Sequence, residues 1–89
     1  MLTGPASGFK TTDTTPTVTW NSVLYGSSYE IQIATDSAFT QNLQTLTSSA
    51  SPFTFSTLSL GKYYWRVRAI NVNSQPGKWS TARYFTIIP

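Results

Sequence analysis

With 89 residues the chain has room for one domain, and with neither histidine nor cysteine it lacks the usual general base, a thiolate nucleophile, a disulfide staple and most zinc ligand sets. Six basic and three acidic residues leave a net charge of +3, too small and too dispersed for a nucleic-acid footprint. No run approaches the roughly 18 apolar residues of a membrane span, so no membrane insertion is expected.

Taken in chain order, Gly4-Pro5 and Ser7-Gly8 read as a linker running into a short first strand, with residues 1–4 as its outer end. Thr11 to Thr15 is a polar turn. Pro16-Thr17-Val18-Thr19-Trp20 alternates, with Val18 and Trp20 on one face and Pro16 suited to a strand's first position. Asn21 to Ser28 is a loop. Tyr29-Glu30-Ile31-Gln32-Ile33 alternates again, its apolar members facing inward. After a turn at Asp36 to Phe39, Leu43 to Thr47 forms a short polar edge strand, and Pro52 to Phe55 gives another alternating pair.

Leu58-Ser59-Leu60-Gly61 is a corner leading into the longest strand, 62–70. There Tyr63, Trp65, Val67 and Ala69 share the inner face, while Tyr64, Arg66 and Arg68 share the outer one. Asn71 to Lys78 is a loop, and Arg83 to Ile88 closes the fold with Phe85 and Ile87 inward. No helical period persists over two turns.

Seven short strands with turn chemistry between them predict an all-β, antiparallel Greek-key sandwich, one sheet of three strands facing one of four, spanning 1–89 as a single domain with Pro89 a linker end. A small barrel is the second choice, disfavoured because glycines are few and fall in loops. The expected core is Val18, Trp20, Tyr29, Ile31, Ile33, Phe39, Phe53, Phe55, Leu58, Tyr63, Trp65, Val67, Ala69, Phe85 and Ile87.

Several of these segments together resemble a fibronectin type III domain of the kind found in bacterial and archaeal surface proteins. They are Thr15 to Trp20, Ser28 to Phe39, Leu58 to Ala69, and Gly77-Lys78-Trp79-Ser80 with Phe85-Thr86-Ile87. The resemblance covers roughly residues 5–88. It implies an immunoglobulin-like sandwich in which Tyr63 forms the tyrosine corner, its hydroxyl bonding the backbone a few residues upstream. It also implies that Trp20 is the core tryptophan of the second strand. Two departures stand out: Leu24-Tyr25-Gly26 replaces the usual turn at a loop tip, and no Arg-Gly-Asp tripeptide is present.

Chemistry is sparse. The three carboxylates, Asp13, Glu30 and Asp36, fall in a turn, a strand and another turn, which is neither a glycosidase pair nor a calcium cluster. Asp36 reads as an Asx-type turn former. The five glycines are isolated, so no phosphate-cradling loop exists and no cofactor is expected. The chain is expected not to be an enzyme.

The outer face of the long strand is the candidate site. As a structural ladder, Trp79 lies across the guanidinium planes of Arg66 and Arg68, and Glu30 and Gln32 supply hydrogen-bond partners. Cytokine-receptor modules of the same fold use a similar stack. The alternatives are a protein-contact face, or single-stranded nucleic acid stacked on Tyr64 and Trp79, which the modest charge argues against. By strand parity Tyr64, Ile70, Tyr84 and Ile88 also point outward, making an apolar surface of the sort that marks interfaces. Leu24 and Tyr25 either fold back over Val72 as a cap or abut a preceding module.

A chain poor in charge and holding 27 serines and threonines resembles surface proteins more than cytosolic enzymes. Residues 1–15 lack the apolar middle of a signal peptide, so any export signal is expected outside this sequence. The expectation is a structural or adhesive module of an extracellular or cell-surface protein, set in a tandem array or a fibre, with neighbouring modules or copies of itself as partners. A protein- or glycan-binding module and an accessory domain of a secreted hydrolase are the alternatives.

Overall fold

The alternating segments of the sequence become strands in the computed structural model, which describes residues 2–21 and 26–89; no helix occurs among them. The strands are β1 (Leu2–Gly4), β2 (Phe9–Thr11), β3 (Thr17–Trp20), β4 (Gly26–Ala34), β5 (Gln44–Ser48), β6 (Phe53–Thr54), β7 (Gly61–Asn71) and β8 (Arg83–Ile87). One sheet has the order β1-β3-β6 and the other β2-β8-β7-β4-β5. Both contribute to one core: Leu2, Val18 and Trp20 from the first meet Tyr29, Ile31, Ile33, Trp65, Val67, Phe85 and Ile87 from the second. The result is an all-β, sandwich-like architecture.

Two expectations about the strands need correction. Eight strands are described instead of seven, in sheets of three and five instead of three and four. The extra strand arises at the N-terminal end, where β1 pairs antiparallel with β3 and β2 pairs parallel with β8, so the pairing is not purely antiparallel. Pro5 has no N–H with which to continue the first ladder, and Gly8 takes a φ of 87°, a conformation glycine tolerates at no steric cost. The chain turns there and changes sheets.

Residues 2–4 are therefore not a linker. Leu2 is only 8% exposed, and Arg83 donates through its guanidinium to the carbonyls of Leu2 (2.9 Å) and Pro5 (3.0 Å), tying β1 down.

The core holds the expected side chains with three qualifications. Phe53, Tyr63 and Ala69 are half-buried and pack against its rim. Leu2 and Ala34 are buried although neither was expected to be. Phe39 is buried, 6% exposed, but outside the core cluster; its ring lies 4.1 Å from the Arg66 guanidinium, on the outer face. Alternation does not carry through a turn, and Phe39 sits in one, with φ 57°. A left-handed conformation costs a non-glycine residue about 1–2 kcal/mol, offset here by the burial of the ring.

Candidate interaction surface

The β4–β7 register places Gln32 opposite Arg66 and Glu30 opposite Arg68, all four pointing away from the core. Gln32 Oε1 accepts from Arg66 Nε at 3.0 Å and from its Nη2 at 2.7 Å. Glu30 Oε1 accepts from Arg68 Nε at 2.6 Å and forms an ion pair with its Nη2 at 2.5 Å. These are directly opposed cross-strand pairs, the arrangement that stabilises a sheet face.

Trp79 completes the ladder. The segment before β8 follows β7 without being a regular strand: Gly77 N–H donates to Ala69 O (2.8 Å), Ser80 N–H donates to Val67 O (2.9 Å), and Ser80 Oγ accepts the Val67 N–H (3.1 Å). Between these anchors the Trp79 ring lies 4.6 Å from the Arg66 guanidinium and 4.3 Å from that of Arg68. Arg66 thus has two aromatic partners, Trp79 and Phe39. Burial, and secondarily the adjacent charge of Arg68, lower its pKa from the ordinary arginine value.

Next to the ladder, β7 and β8 bring Tyr64 opposite Tyr84, with ring centroids 5.7 Å apart at 45°. Lys62 Nζ lies 4.2 Å from the Tyr84 centroid and 5.2 Å from that of Tyr64. The Tyr64 hydroxyl is the largest influence on Lys62 and raises its pKa, against a smaller opposing effect of desolvation. Gly8 closes the far side, donating its N–H to Tyr84 O at 2.8 Å. A β-carbon there would stand 3.3 Å from the Tyr84 hydroxyl.

The structure therefore gathers Tyr64, Arg66, Arg68, Trp79 and Tyr84 on one outer face. Ile70 lies farther along β7, half-buried where it bridges to Pro76, and Ile88 is exposed just beyond β8. Leu24 and Tyr25 lie outside the described residues.

The three carboxylates are engaged separately. Glu30 holds Arg68; Asp13 Oδ1 accepts from the Thr15 N–H and hydroxyl. Asp36 accepts the N–H groups of Thr40 and Gln41 at 2.9 Å each and the Thr40 hydroxyl at 2.7 Å, the Asx-type turn that its position predicts. Those bonds, that of the Thr40 hydroxyl first, lower its pKa below the ordinary 3.8. Tyr63 donates its hydroxyl to Ser59 O at 2.9 Å, four residues upstream.

Three contributors escaped the sequence reading. Lys62 is two residues before Tyr64, so parity alone puts it on the aromatic face. Phe39 carries no such signal. Arg83 pairs with Trp65 in register and so reaches the sandwich interior edge, a position that strand alternation assigns to an apolar residue. Compared with known proteins, the chain matches no family model and no curated protein.

Proposed function

We propose that this chain is a non-enzymatic structural or adhesive module of the fibronectin type III kind, belonging to an extracellular or cell-surface protein and set in a tandem array or fibre. The observation that carries the reading is the way the outer face of the five-stranded sheet is spent. Arg66 is bound to Gln32 and flanked by two rings, and Arg68 is bound to Glu30 and covered by Trp79. A face so occupied by its own cross-strand partners rigidifies a sheet and leaves little for a substrate to engage, which suits a spacer that carries load or presents its ends.

The family assignment draws support from the Tyr63 hydroxyl on Ser59 O, the corner that the resemblance implies. The scarcity of charge and the abundance of hydroxyls favour a surface setting. The test is labelling of intact source cells with antibody raised against these 89 residues. Surface labelling without permeabilisation is the expected result; labelling that appears only after permeabilisation overturns the localisation and the adhesive role with it.

A further inference from the structure

We propose that β5 is a dimerisation edge: two copies of this chain pair antiparallel through Gln44–Ser48, joining their five-stranded sheets side by side into one continuous sheet. The contact is lateral and goes beyond the module reading above.

The two sheets have four edges, and the sequence treats them differently. In the three-stranded sheet, β1 has three residues and stops before Pro5, while β6 has two residues and follows Pro52. In the five-stranded sheet, β2 has three residues, the middle one Lys10. Shortness, proline and lysine are the ordinary means of keeping an edge from pairing with another chain. β5 uses none of them. It has five residues, Gln44, Thr45, Leu46, Thr47 and Ser48, and pairs in unbroken register with β4. No charged residue occurs between Asp36 and Lys62, and Pro52 is the only proline there.

On the side away from β4, the N–H and C=O groups of β5 meet no backbone partner among the described residues. Such an unpaired ladder accepts an extended segment, and the segment that fits is β5 itself. With a two-fold axis at Leu46, that leucine stands beside Leu46 of the second copy, each Thr45 opposite a Thr47 and each Gln44 opposite a Ser48. The register with β4 fixes the faces. Leu46 lies opposite Ile31 and packs against the core, while Thr45 and Thr47 lie opposite Gln32 and Glu30 and are exposed.

The pairing therefore sets leucine on leucine along the inner face and hydroxyl on hydroxyl along the outer one. The molecule makes that hydroxyl pair twice across its own strands, Thr3 with Thr19 at 2.8 Å and Thr17 with Thr54 at 2.7 Å. Thr45 Oγ1 accepts from Gln32 Nε2 at 3.3 Å and keeps its own hydrogen to donate. Registers centred on Thr45 or Thr47 would set Leu46 against Gln44 or Ser48 and lose the apolar pair.

Charge selects the same occupant. Each copy carries +3, and the uncharged run is where two copies approach with least repulsion. A charged peptide finds no counter-charge on β5. Both copies use the same surface, so the contact is isologous and stops at a dimer. Five residues span about 17 Å at 3.4 Å per residue. So narrow a contact falls below the roughly 1,200 Å² of a standard interface, which makes the dimer weak.

The experiment uses the 89-residue chain, followed by sedimentation and amide hydrogen exchange up to millimolar concentration. A monomer–dimer equilibrium is expected, with exchange slowing as concentration rises within residues 44–48. Two double variants test the register: Thr45→Lys with Thr47→Lys, and Thr45→Glu with Thr47→Glu. Both positions are exposed, and unchanged circular dichroism establishes that each variant folds. In either variant alone like charges stand directly opposite, and dimerisation weakens by at least about tenfold. Mixed together, the two variants set lysine opposite glutamate and form a one-to-one pair.

A parent chain that stays monomeric at millimolar concentration overturns the proposal and leaves the edge to an extended segment of another protein. Slowed exchange outside residues 44–48, charge variants that dimerise as the parent does, or a mixture that does not pair overturns it as well. None of these outcomes alters the surface-labelling result that tests the module reading.

Discussion

On the outer face of the three-stranded sheet, Thr3 donates to Thr19 across β1 and β3 at 2.8 Å, and Thr17 meets Thr54 across β3 and β6 at 2.7 Å. On the outer face of the five-stranded sheet the corresponding cross-strand partners are Arg66 with Gln32 and Arg68 with Glu30, roofed by Trp79. Hydroxyl pairs lie flat, are short, and give each group back to water when a partner is lost. Guanidinium ladders are long, cover the sheet with aliphatic stem and aromatic ring, and strand a charge when a partner is lost. The two faces share a pairing geometry and should differ widely in how much stability each pair contributes.

The largest effect is expected from Trp79→Ala. It removes two cation–π contacts and the ring area packed over the arginine stems, a loss of about 2–3 kcal/mol. The urea midpoint falls accordingly, and Trp79→Phe recovers part of the difference. A loss indistinguishable from zero would mean that the ring contributes nothing to the folded domain and is held for a partner instead.

Tyr63→Phe comes next and probes the seam between the faces. The ring is retained against Phe85, at 5.8 Å, while the hydroxyl bond to Ser59 O is lost, costing about 1 kcal/mol. Equal unfolding midpoints for the two proteins would show that the corner bond is isoenergetic with solvation.

Most of the inner architecture is legible in the sequence because period-two alternation has only one physical meaning on a half-buried sheet. Val18 and Trp20, Ile31 and Ile33, Trp65 and Val67, and Phe85 and Ile87 are all buried as alternation requires. The same parity puts Arg66 and Arg68 outward, and Trp79 joins them because the backbone bonds of Gly77 and Ser80 set it beside β7. What parity cannot supply is anything decided by a single residue. Leu2 is one apolar side chain among Gly, Pro and Thr, with no neighbour to establish a period. Phe39 takes its side from a left-handed turn. The change of sheet between β1 and β2 depends on where Pro5 interrupts a ladder, and nothing in the composition of residues 1–11 says which strand receives Phe9.

Comparing acid titrations of the parent and of Asp36→Asn isolates one loop anchor, because the face carboxylate Glu30 is common to both proteins. The folded-state pKa of Asp36 is lowered, so its contribution is fully present above the unfolded value, near 3.8, and is lost as pH falls through the folded value. Asp36→Asn lacks that contribution at neutral pH and has none to lose on acidification. Melting temperatures of the two proteins should therefore differ at neutral pH and converge as pH drops below 3.8. Curves that stay parallel throughout would assign the lowered stability of the variant to the loss of its turn geometry and not to the charge.

The smallest effect is expected where the threonines pair. Thr17 and Thr54 are both exposed, and their hydroxyls bond each other across β3 and β6. Valine has the same shape as threonine and an equal liking for strands, so replacing both residues deletes the bond without leaving a cavity or an orphaned partner. Replacing only one leaves the other hydroxyl to water, which an exposed site readily supplies. Both the single and the double valine variants should therefore unfold within about 0.5 kcal/mol of the parent. The coupling energy from the full double-mutant cycle should be of the same small size, well under that of a cycle on Glu30 and Arg68, where each single substitution leaves a charge without its counterpart. A threonine coupling as large as the ion-pair coupling would mean that the two faces are energetically equivalent, and that the shared cross-strand register, not the chemistry of the pair, sets the stability of each sheet.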